Sequence, residues 1–99
     1  MKIVISRTAD KDLMAGYHFY ESSGKEVGDY FLDSIMSDID SLALFAGIHR
    51  KSSGFHVALS RRFPFAIYYK IESEVVRVRR VLDCRRDPDW IVKALKRVQ

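Results

Sequence analysis

Arginine is the residue type with the clearest chemical potential in this sequence, and it is concentrated in the second half of the chain. Five arginines lie within ten positions: Arg77, Arg79, Arg80, Arg85 and Arg86. The pair Arg61-Arg62 precedes them, and Trp90 follows them. Guanidinium groups bind phosphates and carboxylates through paired hydrogen bonds, and an indole ring stacks on a base or packs against a protein core. These residues predict a binding surface for an anionic partner, either a nucleic-acid backbone or an acidic peptide; the alternative is a solvated surface.

Proton transfer beside this basic region would fall to histidine. The alternation of residues 55–60 predicts that His56 lies on the polar side of a strand, beside Ala58 and Ser60. A single histidine on a strand is more often a surface or hydrogen-bonding residue than a general base. His56 is therefore a candidate catalyst on residue type alone, and His49, in the preceding loop, is a lesser one.

The net charge of +4 hides a larger asymmetry along the chain. Residues 1–48 contain four basic and eight acidic side chains, a net of −4. Residues 49–99 contain thirteen basic and five acidic side chains, a net of +8. A domain polarised in this way is expected to present a basic face that attracts anions.

Length and composition exclude several classes of protein. A chain of 99 residues with 47% hydrophobic residues predicts a single domain over residues 1–99. No apolar run is long enough for a membrane span, and the first six residues do not resemble a signal peptide. The single cysteine, Cys84, cannot form an internal disulfide, which favours the cytoplasm. Three scattered histidines give no metal-ligand spacing, so we expect neither a metal site nor a cofactor.

The first half of the chain must position the basic half, and its pattern predicts one strand and two helices. Residues 2–6 predict a short edge strand. Thr8 is the expected N-cap of a helix that ends at Ser22-Ser23-Gly24. A longer amphipathic helix is expected from Lys25 to Ala46, packed antiparallel against the first as a hairpin.

The second half changes from helical periodicity to a period of two. Gly47 to Gly54 predicts a loop, and three alternating segments then predict an antiparallel meander with a tight turn at residues 72–74. Strict alternation would place Arg80 on the core side, so we expect either a β-bulge near Arg79–Val81 or a strand end with two accessible faces. Asp87-Pro88 predicts the start of a short C-terminal helix. The predicted fold class is α+β.

Residues 61–88 resemble a known family in both motif and order. The segment 61–71, RRFPFAIYYKI, is similar to the aromatic strand of the RelE/ParE toxins, and residues 80–88, RVLDCRRDP, resemble their "RVLHxRRDP" ending. Residues 44–48, LFAGI, resemble the family's helix exit, with Ala46 where proline is usual. The order of predicted elements is that of the RelE/ParE fold, so the resemblance covers nearly the whole chain.

The resemblance implies the toxin of a type II toxin–antitoxin module, of the kind that stabilises plasmids. Such a toxin arrests growth unless a cognate antitoxin, usually encoded nearby, forms a hetero-oligomer with it and covers the helix hairpin and the sheet. ParE-like members inhibit DNA gyrase, whereas RelE-like members cut messenger RNA on the ribosome.

The residues at the positions of the RelE-like catalytic groups favour the ParE-like alternative, which is inhibition of gyrase. Arg61 and Arg85 match arginines of the RelE-like site, but the position of its C-terminal catalyst falls near Ile91, which cannot transfer a proton. Trp90 beside it either stacks on a base or packs the last helix, and we prefer packing. Asp83 replaces the usual histidine and is expected to be an ionised partner of the arginines. The basic cluster is therefore expected to bind gyrase or the antitoxin. A RelE-like endoribonuclease and a non-toxic binding module remain alternatives.

Overall fold

The computed structural model describes all residues from 1 to 99 and confirms the α+β class. Four helices and five strands follow one another along the chain: β1 (Lys2–Ile5), α1 (Arg7–Glu21), α2 (Val27–Asp40), α3 (Leu42–Phe45), β2 (Lys51–Ser52), β3 (Phe55–Leu59), β4 (Phe65–Glu72), β5 (Val75–Asp83) and α4 (Pro88–Lys96). None of these helices has both the length and the apolar character that crossing a membrane requires.

The strands form one sheet in the order β1-β5-β4-β3-β2. Strands β3, β4 and β5 are the expected antiparallel meander, and β1 lies at the edge, parallel to β5, with Ile3 opposite Val76. A parallel pairing requires a crossover connection, which the helix hairpin provides. The expectation of a continuous loop from Gly47 to Gly54 is wrong, because Lys51–Ser52 forms a short second edge strand against β3.

Two predicted helix boundaries are wrong, and capping explains both. Helix α1 begins at Arg7 because the hydroxyl of Ser6, rather than that of Thr8, accepts a hydrogen bond from the Ala9 N–H at 3.1 Å. The helix expected from Lys25 to Ala46 is divided into α2 and α3. The division falls at Ser41, whose hydroxyl donates to the backbone carbonyl of Asp38 at 2.6 Å and so competes with the helical pattern.

The predicted antiparallel hairpin of α1 and α2 is present, and two buried glycines allow its close packing. A Cβ on Gly16 would lie 2.5 Å from the ring of Phe31, and a Cβ on Gly28 would lie 2.6 Å from the backbone oxygen of Tyr17. The two helices therefore approach closely enough to exclude any side chain at these positions.

The β-bulge expected in the last strand is present at Arg79. Tyr68 pairs with Arg80 and Tyr69 pairs with Val78, so Arg79 is the extra residue of β5. The bulge returns Val81 to the face that carries Val78, as the hydrophobic pattern requires.

The sheet separates two hydrophobic clusters. The larger one packs the helix hairpin on the first face, and its members include Leu13, Phe31, Ile35, Ile67, Tyr69, Val78 and Val81. The smaller one packs α4 on the second face and comprises Phe55, Val57, Ala66, Tyr68, Leu82, Ala94 and Leu95. Both faces of the central strands are covered, so functional side chains are left to the strand ends, the loops and the sheet edges.

Candidate functional site

Arg80 has a structural role, because its side chain binds other parts of the protein. Its guanidinium group donates two hydrogen bonds to the carboxylate of Asp12, at 2.8 and 2.9 Å, and a third to the backbone oxygen of Ala94 at 3.3 Å. The two side chains of the ion pair are only 11% and 14% exposed. The same carboxylate accepts the Val81 N–H at 3.0 Å, on the edge of β5 that β1 does not reach. Arg80 therefore joins α1, β5 and α4 and is not free to bind a partner.

Arg85 is held in place by Asp83, as the sequence predicts. The Arg85 guanidinium donates to both carboxylate oxygens, at 3.0 and 2.7 Å, and the Arg85 backbone N–H donates at 2.8 Å. The Arg85 side chain lowers the pKa of Asp83 chiefly through its hydrogen bond. Arg85 stays 60% exposed, so the pair fixes its direction without burying it.

Arg86 and Trp90 form the edge of the largest cleft. The Arg86 guanidinium carbon lies 4.2 Å from the centre of the indole ring, a cation–π contact. The cleft has a volume of about 400 Å³ and lies between α1 and the end of β5. Its lining consists of Asp12, Ala15, Gly16, Phe19, Phe65, Val81, Leu82, Asp83, Arg86 and Trp90. We call it the Arg86–Trp90 cleft. Trp90 lines the cleft and is 37% exposed, so its ring remains accessible to a partner.

The remaining arginines of β5 lie apart from this cleft. Arg77 forms an exposed ion pair with Glu72 at 3.0 Å, a kind of contact that contributes little to stability. Arg79, in the bulge, lines a small depression with Val4, Ser6, Arg77 and Val78. The arginines expected to form one cluster are therefore distributed between a buried ion pair, a cleft edge and the β1 side of the sheet.

Arg61 and Arg62 line a separate polar cavity of about 170 Å³ at one side of α2. The other lining residues are Ser34, Ser37, Asp38 and Ser41, and none of the six is hydrophobic. Sequence reasoning did not single out these α2 residues. Their spacing of three, four and seven positions places polar side chains on one helical face and was the available signal.

His49, His56 and Tyr69 form a hydrogen-bonded group. The buried Tyr69 hydroxyl accepts the Gly47 N–H at 2.9 Å, so its own hydrogen is free to donate to His49 Nδ1 at 2.5 Å. This network assigns the neutral Nε2–H tautomer to His49. Burial lowers the pKa of His49, and the nearby His56 lowers it further.

The expectation that His56 lies on a polar side of its strand is wrong. It shares the face of Ala58 and Tyr69, and its ring stacks on Tyr69 with centres 5.0 Å apart. The other face of β3 carries Phe55 and Val57 under α4, so neither face of this strand is polar. His56 Nδ1 is 3.0 Å from the His49 backbone oxygen and donates to it.

Exposed apolar side chains lie near the end of α3. Phe45, Ile48 and Leu59 line a shallow cavity of about 290 Å³ together with His49 and Arg61. Their exposures are 52%, 74% and 63%, respectively. We call these three residues the apolar patch; large exposed hydrophobic side chains grouped in this way are typical of a protein-binding surface.

Comparison with known proteins shows the family to which this chain belongs. Residues 3–88 match the family model described as the ParE toxin of the type II toxin–antitoxin system, parDE. This chain belongs to the ParE toxin family. The ParE fold is also seen in a chain of the chromosomal ParDE TA system from P. aeruginosa, with a TM-score of 0.75 and 23% identity, over 82% of this chain and 92% of that one. Comparison with curated proteins gave no match.

In this ParE-family toxin the predicted site residues fall into three places. Arg86 and Trp90 line the Arg86–Trp90 cleft and Arg85 binds its lining residue Asp83, while Arg61 and Arg62 line the polar cavity beside α2. Arg77, Arg79 and Arg80 lie along β5. No three His, Cys, Asp or Glu side chains are grouped so that they could hold a metal ion.

Proposed function

We propose that this ParE-family toxin arrests growth by inhibiting DNA gyrase and that a cognate antitoxin neutralises it. The observation that carries the proposal is the Arg86–Trp90 cleft, in which the exposed Arg86 borders an apolar floor and the two carboxylates of the lining, Asp12 and Asp83, are already paired with Arg80 and Arg85. Arginine and tryptophan are enriched among the residues that dominate protein–protein binding energy. The cleft therefore has the composition of a binding site for an acidic protein surface.

The orientation of the cleft residues also supports binding. Asp83 holds Arg85, and the indole of Trp90 supports Arg86. Side chains that are already ordered lose less conformational entropy when a partner binds. The two exposed guanidinium groups can therefore engage carboxylates at a smaller entropic cost than free surface lysines.

A gyrase supercoiling assay with the purified protein tests this function. We expect inhibition at stoichiometric protein, and we expect Arg86→Ala and Trp90→Ala to weaken it. Lys96→Ala, an exposed cation on the far part of α4, is the matched control and should inhibit as the natural protein does. Absence of inhibition together with cleavage of messenger RNA on translating ribosomes would overturn the proposal. Induced expression that does not slow growth would favour a non-toxic binding module.

We assign the apolar patch to the antitoxin. Phe45, Ile48 and Leu59 are more than half exposed, and Arg61 adds positive charge beside them. An antitoxin segment that alternates apolar and acidic residues would bury the apolar patch with its apolar residues and neutralise Arg61 with its acidic ones. Ile48→Asp should abolish copurification with the antitoxin encoded nearby while leaving the fold intact, because the side chain is exposed. Val92→Asp, at an exposed apolar position of α4, is the control and should retain the complex.

A RelE-like endoribonuclease is the second candidate, because His49 and Arg61 line the same cavity. A phosphate held by Arg61 would lie near an imidazole there. The assigned tautomer argues against a base at this place, however, since Tyr69 occupies the only lone-pair nitrogen of neutral His49. His56 retains a lone pair on Nε2 but is not part of the cavity lining. Cleavage of messenger RNA that is lost in both His49→Ala and Arg61→Ala would favour this candidate.

A further inference from the structure

The polar cavity beside α2 shares Arg61 with the proposed antitoxin site, but its other lining residues have no role in gyrase or antitoxin binding as proposed above. We propose that it binds a phosphate group that carries a P–OH hydrogen, either inorganic phosphate or the terminal phosphate of a nucleic acid. Its volume of about 170 Å³ corresponds to several water molecules at about 30 Å³ each. A tetrahedral group of five heavy atoms fits within that space.

An unpaired buried hydroxyl forms part of the cavity lining. Ser34 is 5% exposed, and its Oγ is the only buried side-chain polar atom in the protein without a hydrogen-bond partner. Buried polar groups are nearly always paired, because an unpaired one keeps its full desolvation cost. An oxygen atom of a bound phosphate would accept the hydrogen of Ser34 and remove that cost. Ser37, one turn further along the same face of α2, provides another donor, whereas the Ser41 hydroxyl already donates to the backbone carbonyl of Asp38.

Two arginines that form no ion pair give the cavity its positive charge. Neither Arg61 nor Arg62 forms an ion pair, in contrast to Arg77, Arg80 and Arg85. The Arg62 guanidinium lies 6.0 Å from the centre of the Tyr30 ring, a contact that orients the group without neutralising it. The two arginines and Asp38 give the lining a net charge of +1, which favours an anion.

Asp38 limits the kinds of anion that the cavity can bind. Its Oδ2 accepts the Ser60 hydroxyl at 2.8 Å and the Arg61 N–H at 3.3 Å, whereas Oδ1 accepts no hydrogen bond. A carboxylate in an anion site repels ligand oxygens unless the ligand donates a hydrogen to it. Phosphate monoesters partly retain such a hydrogen near pH 6, where their second pKa lies, and inorganic phosphate retains it more fully because its second pKa is higher. Sulfate and the internal phosphodiesters of nucleic acids have none, so the cavity should discriminate against both.

Calorimetric titration of the full chain near pH 6 tests the proposal, with inorganic phosphate, sulfate, and an oligonucleotide with and without a 5′-phosphate. We expect phosphate to bind and sulfate not to bind. Ser34→Ala should weaken phosphate binding about tenfold, the value of a hydrogen bond to a charged group. The same substitution should raise the melting temperature of the free protein, because it removes the unpaired hydroxyl. A serine with only a structural role would not combine these two effects.

Arg62→Gln should also weaken binding, and Arg97→Gln, which changes the net charge equally at the exposed residue that follows α4, should not. Tighter binding of the 5′-phosphorylated oligonucleotide than of inorganic phosphate would identify nucleic acid as the source, and the reverse order would identify free phosphate; both support the site. Equal binding of sulfate, equal effects of Arg62→Gln and Arg97→Gln, or undiminished binding by Ser34→Ala would overturn it.

Discussion

Asp12 shows how much of this fold depends on one carboxylate. It accepts three hydrogen bonds, two from Arg80 and one from the backbone of Val81, and it lies in α1, whereas both partners lie in β5. The pair is largely buried, so removal of the carboxylate would leave a desolvated cation without a partner.

Asp12→Ala should therefore lower the free energy of unfolding by about 3 kcal/mol, the usual effect of removing one partner of a buried ion pair. Urea denaturation followed by circular dichroism measures it. Asp10→Ala removes an exposed carboxylate from the first turn of the same helix and should cost far less. If the two variants were equally stable, Asp12 would have only a surface role.

His49 predicts a pH dependence with a definite sign. Its pKa in the folded protein is lowered from 6.5, chiefly by burial, so the folded state stabilises the neutral ring. As the pH falls through 6.5, the unfolded chain gains a proton that the folded chain does not take up. The stabilisation is therefore complete above pH 6.5 and declines as the pH approaches the lower folded pKa.

Unfolding free energies measured at successive pH values from neutral to mildly acidic should reveal this decline. His49→Gln keeps an acceptor for the Tyr69 hydroxyl but does not titrate, so its decline over the same pH range should be smaller. An identical slope in the variant would assign the pH dependence to another group.

At the scale of elements, the hairpin between β4 and β5 contains avoidable strain. Its two loop residues, Ser73 and Glu74, have φ values of 52° and 63°. Positive φ at both positions defines a type I′ turn, which strongly favours Asn-Gly. The hairpin from β2 to β3 has a comparable turn, but there Gly54 occupies the second position with φ 84°.

Replacing Ser73-Glu74 by Asn-Gly should raise the free energy of unfolding by about 1 kcal/mol, because glycine avoids the steric cost of left-handed backbone. Thermal and urea denaturation both measure it. Glu74→Ala retains the Cβ and should give little of this gain. A gain of equal size from the alanine variant would show that loss of the Glu74 charge, rather than relief of strain, stabilises the hairpin.

Elements with a strong local pattern were predictable from the sequence. The bulge at Arg79 is one of the two arrangements that the pattern predicts, because two valines on one face are followed by a valine out of phase. The choice of Ser6 over Thr8 as the helix cap was not foreseen, since both residue types are good caps and β1 decides where the chain turns.

The candidate sites were less predictable than the elements. Sequence proximity placed Arg80 with Arg85 and Arg86, but a partner 68 positions away, Asp12, removes Arg80 from the surface. The polar face of α2 is visible in the spacing of its residues, but burial of the unpaired Ser34 hydroxyl depends on how that face packs. Long-range contacts such as these are not encoded in local spacing.

At the scale of the whole molecule, the charge asymmetry bears on how fast the toxin would bind an antitoxin with the acidic segment proposed above. The net of +8 in residues 49–99 should accelerate diffusional encounter, whereas the apolar patch should determine how long the complex lasts. We therefore expect the association rate to fall steeply with added salt, as long-range attraction is screened.

Stopped-flow association and dissociation rates at low and high salt test whether charge sets the association rate and the apolar patch sets the dissociation rate. The double variant Arg85→Gln/Arg86→Gln should lower the association rate and its salt dependence, and Leu59→Ser should mainly raise the dissociation rate. An association rate that does not depend on salt would exclude steering by charge.

The position of β1 has a consequence for synthesis of the toxin. Lys2 pairs with Val75, and Ile5 pairs with Val78, so the two strands are far apart in the sequence. The first strand therefore lacks its neighbour until β5 has been translated, and translation proceeds at roughly 5–20 residues per second. Pairing across so many residues is also slow to form once it is possible. A ribosome that stalls before β5 would release a chain without a complete sheet, and the nascent toxin cannot complete this sheet until β5 has been translated.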